Sequence, residues 1–123
     1  MNGNNFLLDT NIVLYLLSGD QTLASLLRFK RLYISFVSEL ELLGFHGIKE
    51  DQKNQIRDFL KQCLIIDINE NIKEIVIDIR SKYNLKLPDS IVMATTIYID
   101  APLITSDKRL FKIKEANIVQ YLL

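Results

Sequence analysis

Phe6-Leu7-Leu8-Asp9-Thr10-Asn11-Ile12-Val13-Leu14-Tyr15-Leu16-Leu17 is the stretch on which the fold class turns. Three consecutive apolar residues without polar alternation read as a short strand buried on both faces. Asp9 ends it. Asp, Thr and Asn are residues that open helices by accepting hydrogen bonds from the free amides of the first turn. Thr10 therefore opens a helical run through Ile12, Val13, Tyr15, Leu16 and Leu17, and Ser18-Gly19-Asp20 stops it. A doubly buried strand feeding directly into a helix is the unit from which helix-covered parallel sheets are built.

The same alternation continues along the chain. Leu23, Leu26 and Leu27 recur at helical spacing, and Arg31-Leu-Tyr-Ile34 reads as a second strand. Ser35 or Ser38 then caps a helix carrying Leu40, Leu42 and Leu43, which Gly44 and Gly47 close. Ile56, Phe59, Leu60 and Cys63 mark an amphipathic helix from near Asp51, followed by a third strand at Leu64-Ile-Ile66. Ile72, Ile75, Val76 and Ile79 fall at i, i+3, i+4 and i+7, the stripe of a core-facing helix. Leu87-Pro88-Asp89 starts a further helix that runs to Tyr98, since Pro suits the first turn and a carboxylate there suits the dipole. Pro102 to Thr105 is a fourth strand and Asn117 to Tyr121 a fifth; Asn2 to Asn5 form a short polar leader. The expected architecture is one domain over residues 1–123, a three-layer α/β/α sandwich with a central, mostly parallel sheet of four to five strands.

Composition narrows the chemistry. The 123 residues include 15 basic and 15 acidic side chains, one His and one Cys, so the chain is not a globally basic nucleic-acid coat; a local basic patch is still allowed. The longest apolar run, Ile12 to Leu17, is far below the roughly 18 residues of a membrane span. Met1 is followed by Asn-Gly-Asn-Asn rather than a secretory pattern, and a single Cys suits a reducing compartment, so a cytoplasmic location and no membrane contact are expected. With so few nitrogen and sulfur ligands, any metal would be held by oxygen, which favours Mg²⁺ or Mn²⁺.

Four acids occupy comparable places. Asp9 ends the first strand, Glu41 lies early in the helix after the second, Asp89 is in the first turn of its helix, and Asp107 is two residues past the fourth strand. In a parallel sheet the carboxyl ends of strands share one rim, where ligands bind. That topology gathers three of the acids, and Asp89 joins them if its helix presents its amino end. Carboxylates crowded together must take up protons or a cation. A divalent cation held there suits hydrolysis of a phosphodiester. Each acid also has a structural explanation: a cap for Asp9, a capping box with Ser38 for Glu41, a first-turn carboxylate for Asp89 and a turn residue for Asp107. The coincidence of four on one rim favours the site.

The blocks Phe6-Leu-Leu-Asp-Thr-Asn11, Ile34-Ser-Phe-Val-Ser-Glu-Leu-Glu-Leu-Leu-Gly44, Leu87-Pro-Asp-Ser-Ile-Val-Met-Ala94 and Pro102-Leu-Ile-Thr-Ser-Asp107 together resemble the signature blocks of PIN-domain ribonucleases, and more narrowly of VapC-type toxins of toxin–antitoxin pairs. The resemblance runs in order from about Phe6 to Phe111, with Ser90 in place of the usual Ala after the third acid. It implies a metal-dependent endoribonuclease in which Asp9, Glu41, Asp89 and Asp107 hold one or two Mg²⁺ or Mn²⁺ ions. Asn11 would orient Asp9 or a water, and Ser106, less strongly Thr10, would hydrogen-bond at the site. Glu39, about 200° round the helix from Glu41, is the rival that the family spacing from Ser35 and Ser38 excludes.

RNA approaching an acidic cluster needs positive side chains beside it. Lys108, Arg109 and Lys112, with Lys114, follow Asp107, while Lys82 and Lys86 precede Asp89; these are the candidate phosphate contacts. His46 and Cys63 read as a surface or capping residue and a core residue. The resemblance also implies an antitoxin segment seated among the early helices, where Leu14, Tyr15, Leu26, Leu27, Leu42 and Phe45 exceed the needs of a small core, and a homodimer formed through helices near the fourth strand. The alternatives are a haloacid dehalogenase-like phosphohydrolase with Asp9 as nucleophile, a receiver domain, or a non-catalytic binding module of the same fold. Of these, the first wants a second Asp where Asn11 stands, and the second an acidic pair before Asp9.

Overall fold

Each expected strand forms where the apolar triplets stand. The computed structural model describes residues 4–122; of the leader, Asn2 and Gly3 lie outside the described residues. Five parallel strands, β1 (Asn5–Leu8), β2 (Arg31–Ser35), β3 (Leu64–Ile66), β4 (Leu103–Thr105) and β5 (Ile118–Gln120), form one sheet in the order β3-β2-β1-β4-β5. Six helices connect them: α1 (Thr10–Leu17), α2 (Gln21–Leu27), α3 (Phe36–Gly44), α4 (Glu50–Leu60), α5 (Glu70–Lys82) and α6 (Leu87–Ile99), with a 3₁₀ turn at Lys108–Leu110. This is the three-layer α/β/α arrangement that the alternation predicts.

The strand order follows from handedness. The chain winds outward from β1 to β2 and β3, then returns to the other side of β1 to lay down β4 and β5. Right-handed crossovers made in opposite directions put their helices on opposite faces. Side chains in a strand alternate between those faces. Phe6 and Leu8 accordingly pack with Ile12, Val13, Leu23, Leu42 and Ile56 from the early helices, whereas Leu7 packs with Ile79, Val92 and Met93 from α5 and α6. Leu7 and Leu8 are fully buried, each contributing about 1.5–3 kcal/mol. Leu27 and Leu42, offered above as groove residues, are 5% and 1% exposed and belong to this core, while Leu14, Leu26 and Phe45 do stand exposed. The helical phase decides: Leu42 is one turn past Ser38 and faces the sheet with it.

Local caps set the helix starts. Ser35, not Ser38, caps α3, its hydroxyl accepting from the Val37 amide at 3.2 Å. Asp20 caps α2 through Oδ1, which accepts from Leu23 N at 2.9 Å, while Oδ2 accepts from the Tyr121 hydroxyl at 2.7 Å. The Leu23 amide first, then Tyr121, hold the Asp20 carboxyl below its ordinary value of 3.8. A depressed folded pKa means that its contribution is present above pH 3.8 and is lost as the pH falls through the depressed value. Asp20→Ala is expected to lower the urea midpoint at pH 7 with the slope unchanged, the difference from wild type closing at acid pH; equal midpoints at pH 7 would refute it.

Candidate active site

The sheet order creates a reversal between β1 and β4, and ligands of open α/β sheets bind outside the strand ends at such a point. Leu8 pairs with Ile104, so the next residues, Asp9 and Thr105, emerge side by side at that crevice. Thr105 is fully buried and its hydroxyl donates to Asp9 Oδ2 at 2.6 Å. The other Asp9 oxygen accepts from Thr10 N at 2.9 Å as the cap of α1, so the same carboxylate caps the helix and faces the crevice.

From Asp9 a line of hydrogen bonds reaches every acid singled out above. On one side, Thr10 Oγ1 donates to Glu41 Oε1 at 2.7 Å and lies 2.9 Å from Ser38 Oγ. On the other, Thr105 Oγ1 accepts from the Asp107 amide at 3.0 Å. Asp107 accepts from Arg109 Nε at 3.0 and 3.2 Å and from Nη2 at 2.6 Å; the same Nη2 is 3.5 Å from Asp89 Oδ2. Glu41, Asp9, Asp107 and Asp89 are thus connected through Thr10, Thr105 and Arg109. Glu39, by contrast, lies in the first turn of α3 with no hydrogen bond to the cluster.

The electrostatics follow from position. Burial pushes the Asp9 carboxyl above its ordinary value; the donors Thr105 and Thr10 offset only part, and the charges of Asp89 and Asp107 add to the rise. Asp107 is held below its ordinary value by the Arg109 hydrogen bonds, and Arg109 is correspondingly raised, so its charge is permanent. Among the described residues no three Asp, Glu, His or Cys groups form a ready-made metal cage. The donor set nonetheless suits a hard divalent cation, because it consists of carboxylate oxygens and already attracts a cationic group, the Arg109 guanidinium.

Other expectations change in detail. Ser106, expected to hydrogen-bond a metal-bound water or a neighbouring carboxylate, follows the end of β4 and lines a hollow with Lys108, Tyr121 and Leu122. Asn11 is exposed and makes no hydrogen bond to Asp9. Thr105 is the residue that hydrogen-bonds Asp9 and the Asp107 amide. Its signal was present in the sequence: a Thr two residues before an Asp at a strand end makes a local turn onto that residue's amide. Ser90 satisfies its buried hydroxyl on the Lys86 carbonyl at 2.9 Å. Lys86 and Lys112 line a cleft of about 350 Å³ with Asn84, Leu85, Asp89 and Arg109. Lys82 is committed elsewhere, to Asp78 at 3.2 Å and Glu115 at 3.3 Å. Cys63 is half-buried and packs against the core, as its apolar helical face predicts, and burial pushes its thiol up to about 11, which leaves it unreactive at neutral pH.

Comparison with known proteins agrees with this geometry. The chain superposes on a toxin–antitoxin complex from Klebsiella pneumoniae with a TM-score of 0.82 and 31% identity, covering 95% of this chain and 98% of that one. The fold is also shared with VapBC2 from Rickettsia felis bound to a promoter DNA fragment (TM-score 0.81, 19% identity, 94% and 98% covered). VapBC-1 from nontypeable Haemophilus influenzae is similar again (TM-score 0.79, 22% identity, 94% and 97% covered). No curated protein sequence matched. The PIN domain profile matches residues 6–116, a span that contains all four acids at the β1–β4 crevice, and the chain belongs to the PIN-domain family of nucleases.

Proposed function

We propose that the protein is a divalent-metal-dependent endoribonuclease and the toxin of a toxin–antitoxin pair. The observation that carries the reading is the hydrogen-bonded line from Glu41 to Asp89 across the reversal point of the sheet. Asp9, Asp89 and Asp107, with Glu41 beside them, would hold one or two Mg²⁺ or Mn²⁺ ions. When bound, the cation supplies activation of the attacking water and screening of charge at phosphorus. Thr105 fixes the orientation of Asp9, whose carboxylate form is the one that would hold a cation. Lys86 and Lys112, on the cleft beside Asp89, hold the flanking phosphates of the RNA. Lys108, which lines a separate hollow with Ser106, is a further candidate phosphate contact.

The partners follow from the same reading. The likeness to a toxin–antitoxin complex supports an antitoxin, and an apolar hollow lined by Leu14, Leu17, Phe45 and Ile56 suits an amphipathic segment. A second hollow, lined by Phe36, Ile68, Val76, Ile77, Leu87 and Ile91, suits a second copy of the chain. No helix among the described residues is long and apolar enough to cross a membrane. The family match sets aside the phosphohydrolase and receiver alternatives.

The test is incubation of the purified protein with tRNA and rRNA in Mg²⁺ or Mn²⁺, in EDTA, and with Asp9→Asn as control. Discrete cuts that need metal and Asp9 are expected. Cleavage that persists in EDTA, or no cleavage under any condition, defeats the proposal.

A further inference from the structure

Arg109 folds back from the 3₁₀ turn onto the acid two residues before it. Its Nε and Nη2 grip both oxygens of Asp107, the closest contact being 2.6 Å, and Nη2 reaches Asp89 at 3.5 Å. A two-pronged guanidinium–carboxylate pair is the most directional form of ion pair a protein makes. Asp9 also attracts Arg109 through space, so three anions share one internal cation. The Asp107 and Asp89 oxygens that Arg109 engages are among those a divalent ion would use. One positive charge leaves the three acids with a net negative charge, whereas a dication together with the guanidinium would set two cations against each other at close range. The Arg109 side chain is 61% exposed, so nothing packs it in place and the adjoining cleft with Lys86 and Lys112 is open to it.

We infer that Arg109 is an internal counter-ion that divalent metal displaces from Asp107 and Asp89, and that the freed guanidinium then serves as a phosphate contact for RNA. This rests on the nuclease reading above. It makes metal and RNA binding mutually reinforcing: metal releases Arg109 towards phosphate, and phosphate drawing Arg109 away uncovers the acids for metal. Binding linkage requires the two effects to be equal.

The experiment measures Mn²⁺ affinity of the full chain by titration calorimetry, for wild type, Arg109→Gln and Arg109→Lys, with and without a short phosphorothioate RNA that resists hydrolysis. Without RNA, Arg109→Gln is expected to bind Mn²⁺ about fivefold more tightly than wild type, as loss of a competing exposed ion pair implies, with the difference shrinking at high salt. RNA should tighten Mn²⁺ binding by wild type and have no such effect on Arg109→Gln. Arg109→Lys, with the charge but not the fork, should fall between and decides the matter if the Gln variant fails to fold. Unchanged or weaker Mn²⁺ binding by the variants overturns the inference and leaves the nuclease reading intact. Absence of Mn²⁺ binding in every protein, wild type included, removes both.

Discussion

Asp9→Asn is expected to abolish RNA cleavage, by at least about 100-fold, and at the same time to make the protein more stable at pH 7. The two effects have one cause. Asp9 is held by burial, and by its neighbours Asp89 and Asp107, in a place that favours its protonated form. A carboxyl whose folded pKa is raised binds more protons in the native state than in the unfolded chain. Stability therefore falls as the pH rises from 3.8 through the raised value, and above it the full deficit is present. Asn keeps the cap on Thr10 N through its Oδ1 and carries no charge, so the charge deficit disappears, while the Thr105 hydroxyl turns to accept from its Nδ2 in place of donating to Asp9 Oδ2. Thermal unfolding in EDTA should show a melting temperature a few degrees above wild type at pH 7, with the two proteins converging below pH 3.8. A variant that is less stable than wild type at pH 7 would show that the carboxylate is structural.

Thr105→Val carries the second large effect. Valine fills the same volume in β4, but it removes the donor to Asp9 Oδ2 and the acceptor of the Asp107 amide. Two part-buried polar groups lose their partner, at a cost of up to about 1–3 kcal/mol. Thr105 is a positioning residue, and the expected loss of cleavage is about 10- to 100-fold, as for the groups that orient metal ligands elsewhere. Loss of the Thr105 hydrogen bond also lets Asp9 rise further, since that bond is the largest effect holding it down. The acid limb of the rate–pH profile should move to higher pH. Thr105→Ser, which keeps the hydroxyl, should restore both the profile and the rate; a Ser variant as impaired as Val would mean that packing alone explains the loss.

The local elements were legible because each depends on neighbouring residues. Phe6-Leu7-Leu8 is a strand because three apolar side chains in succession need cover on both faces, and Asp9 ends it because a carboxylate accepts from the first helical amides. The 3.6-residue stripe of Ile72, Val76 and Ile79 reads directly onto α5, and all three are buried. The choice of Glu41 over Glu39 came from the resemblance to the family, and only Glu41 meets Thr10. Legibility failed where a partner lies far along the chain. Asp78, one turn before Lys82, announces one of its partners, but nothing nearby announces the second, Glu115. Ser106 and Thr105 look equally suited to the acids until the pairing of β4 with β1 sets Thr105 against Asp9. Leu42 looks like surplus apolar surface until α3 packs on the sheet.

The order of strands and helices can be read from the chain alone, because it follows from apolar runs, caps and spacing within a few residues; the four acids were candidates from their places in that order, with Glu41 chosen through the family resemblance. Tertiary structure alone decided that β4 lies beside β1, which sets the Thr105 hydroxyl against a carboxylate 96 residues earlier in the chain. It also brought Asp89, twenty residues earlier, within 3.5 Å of the Arg109 guanidinium, whose grip on Asp107 is local. The reason is that handed crossovers, and the mutual attraction of charges brought together by folding, act between segments whose separation along the chain carries no local signal.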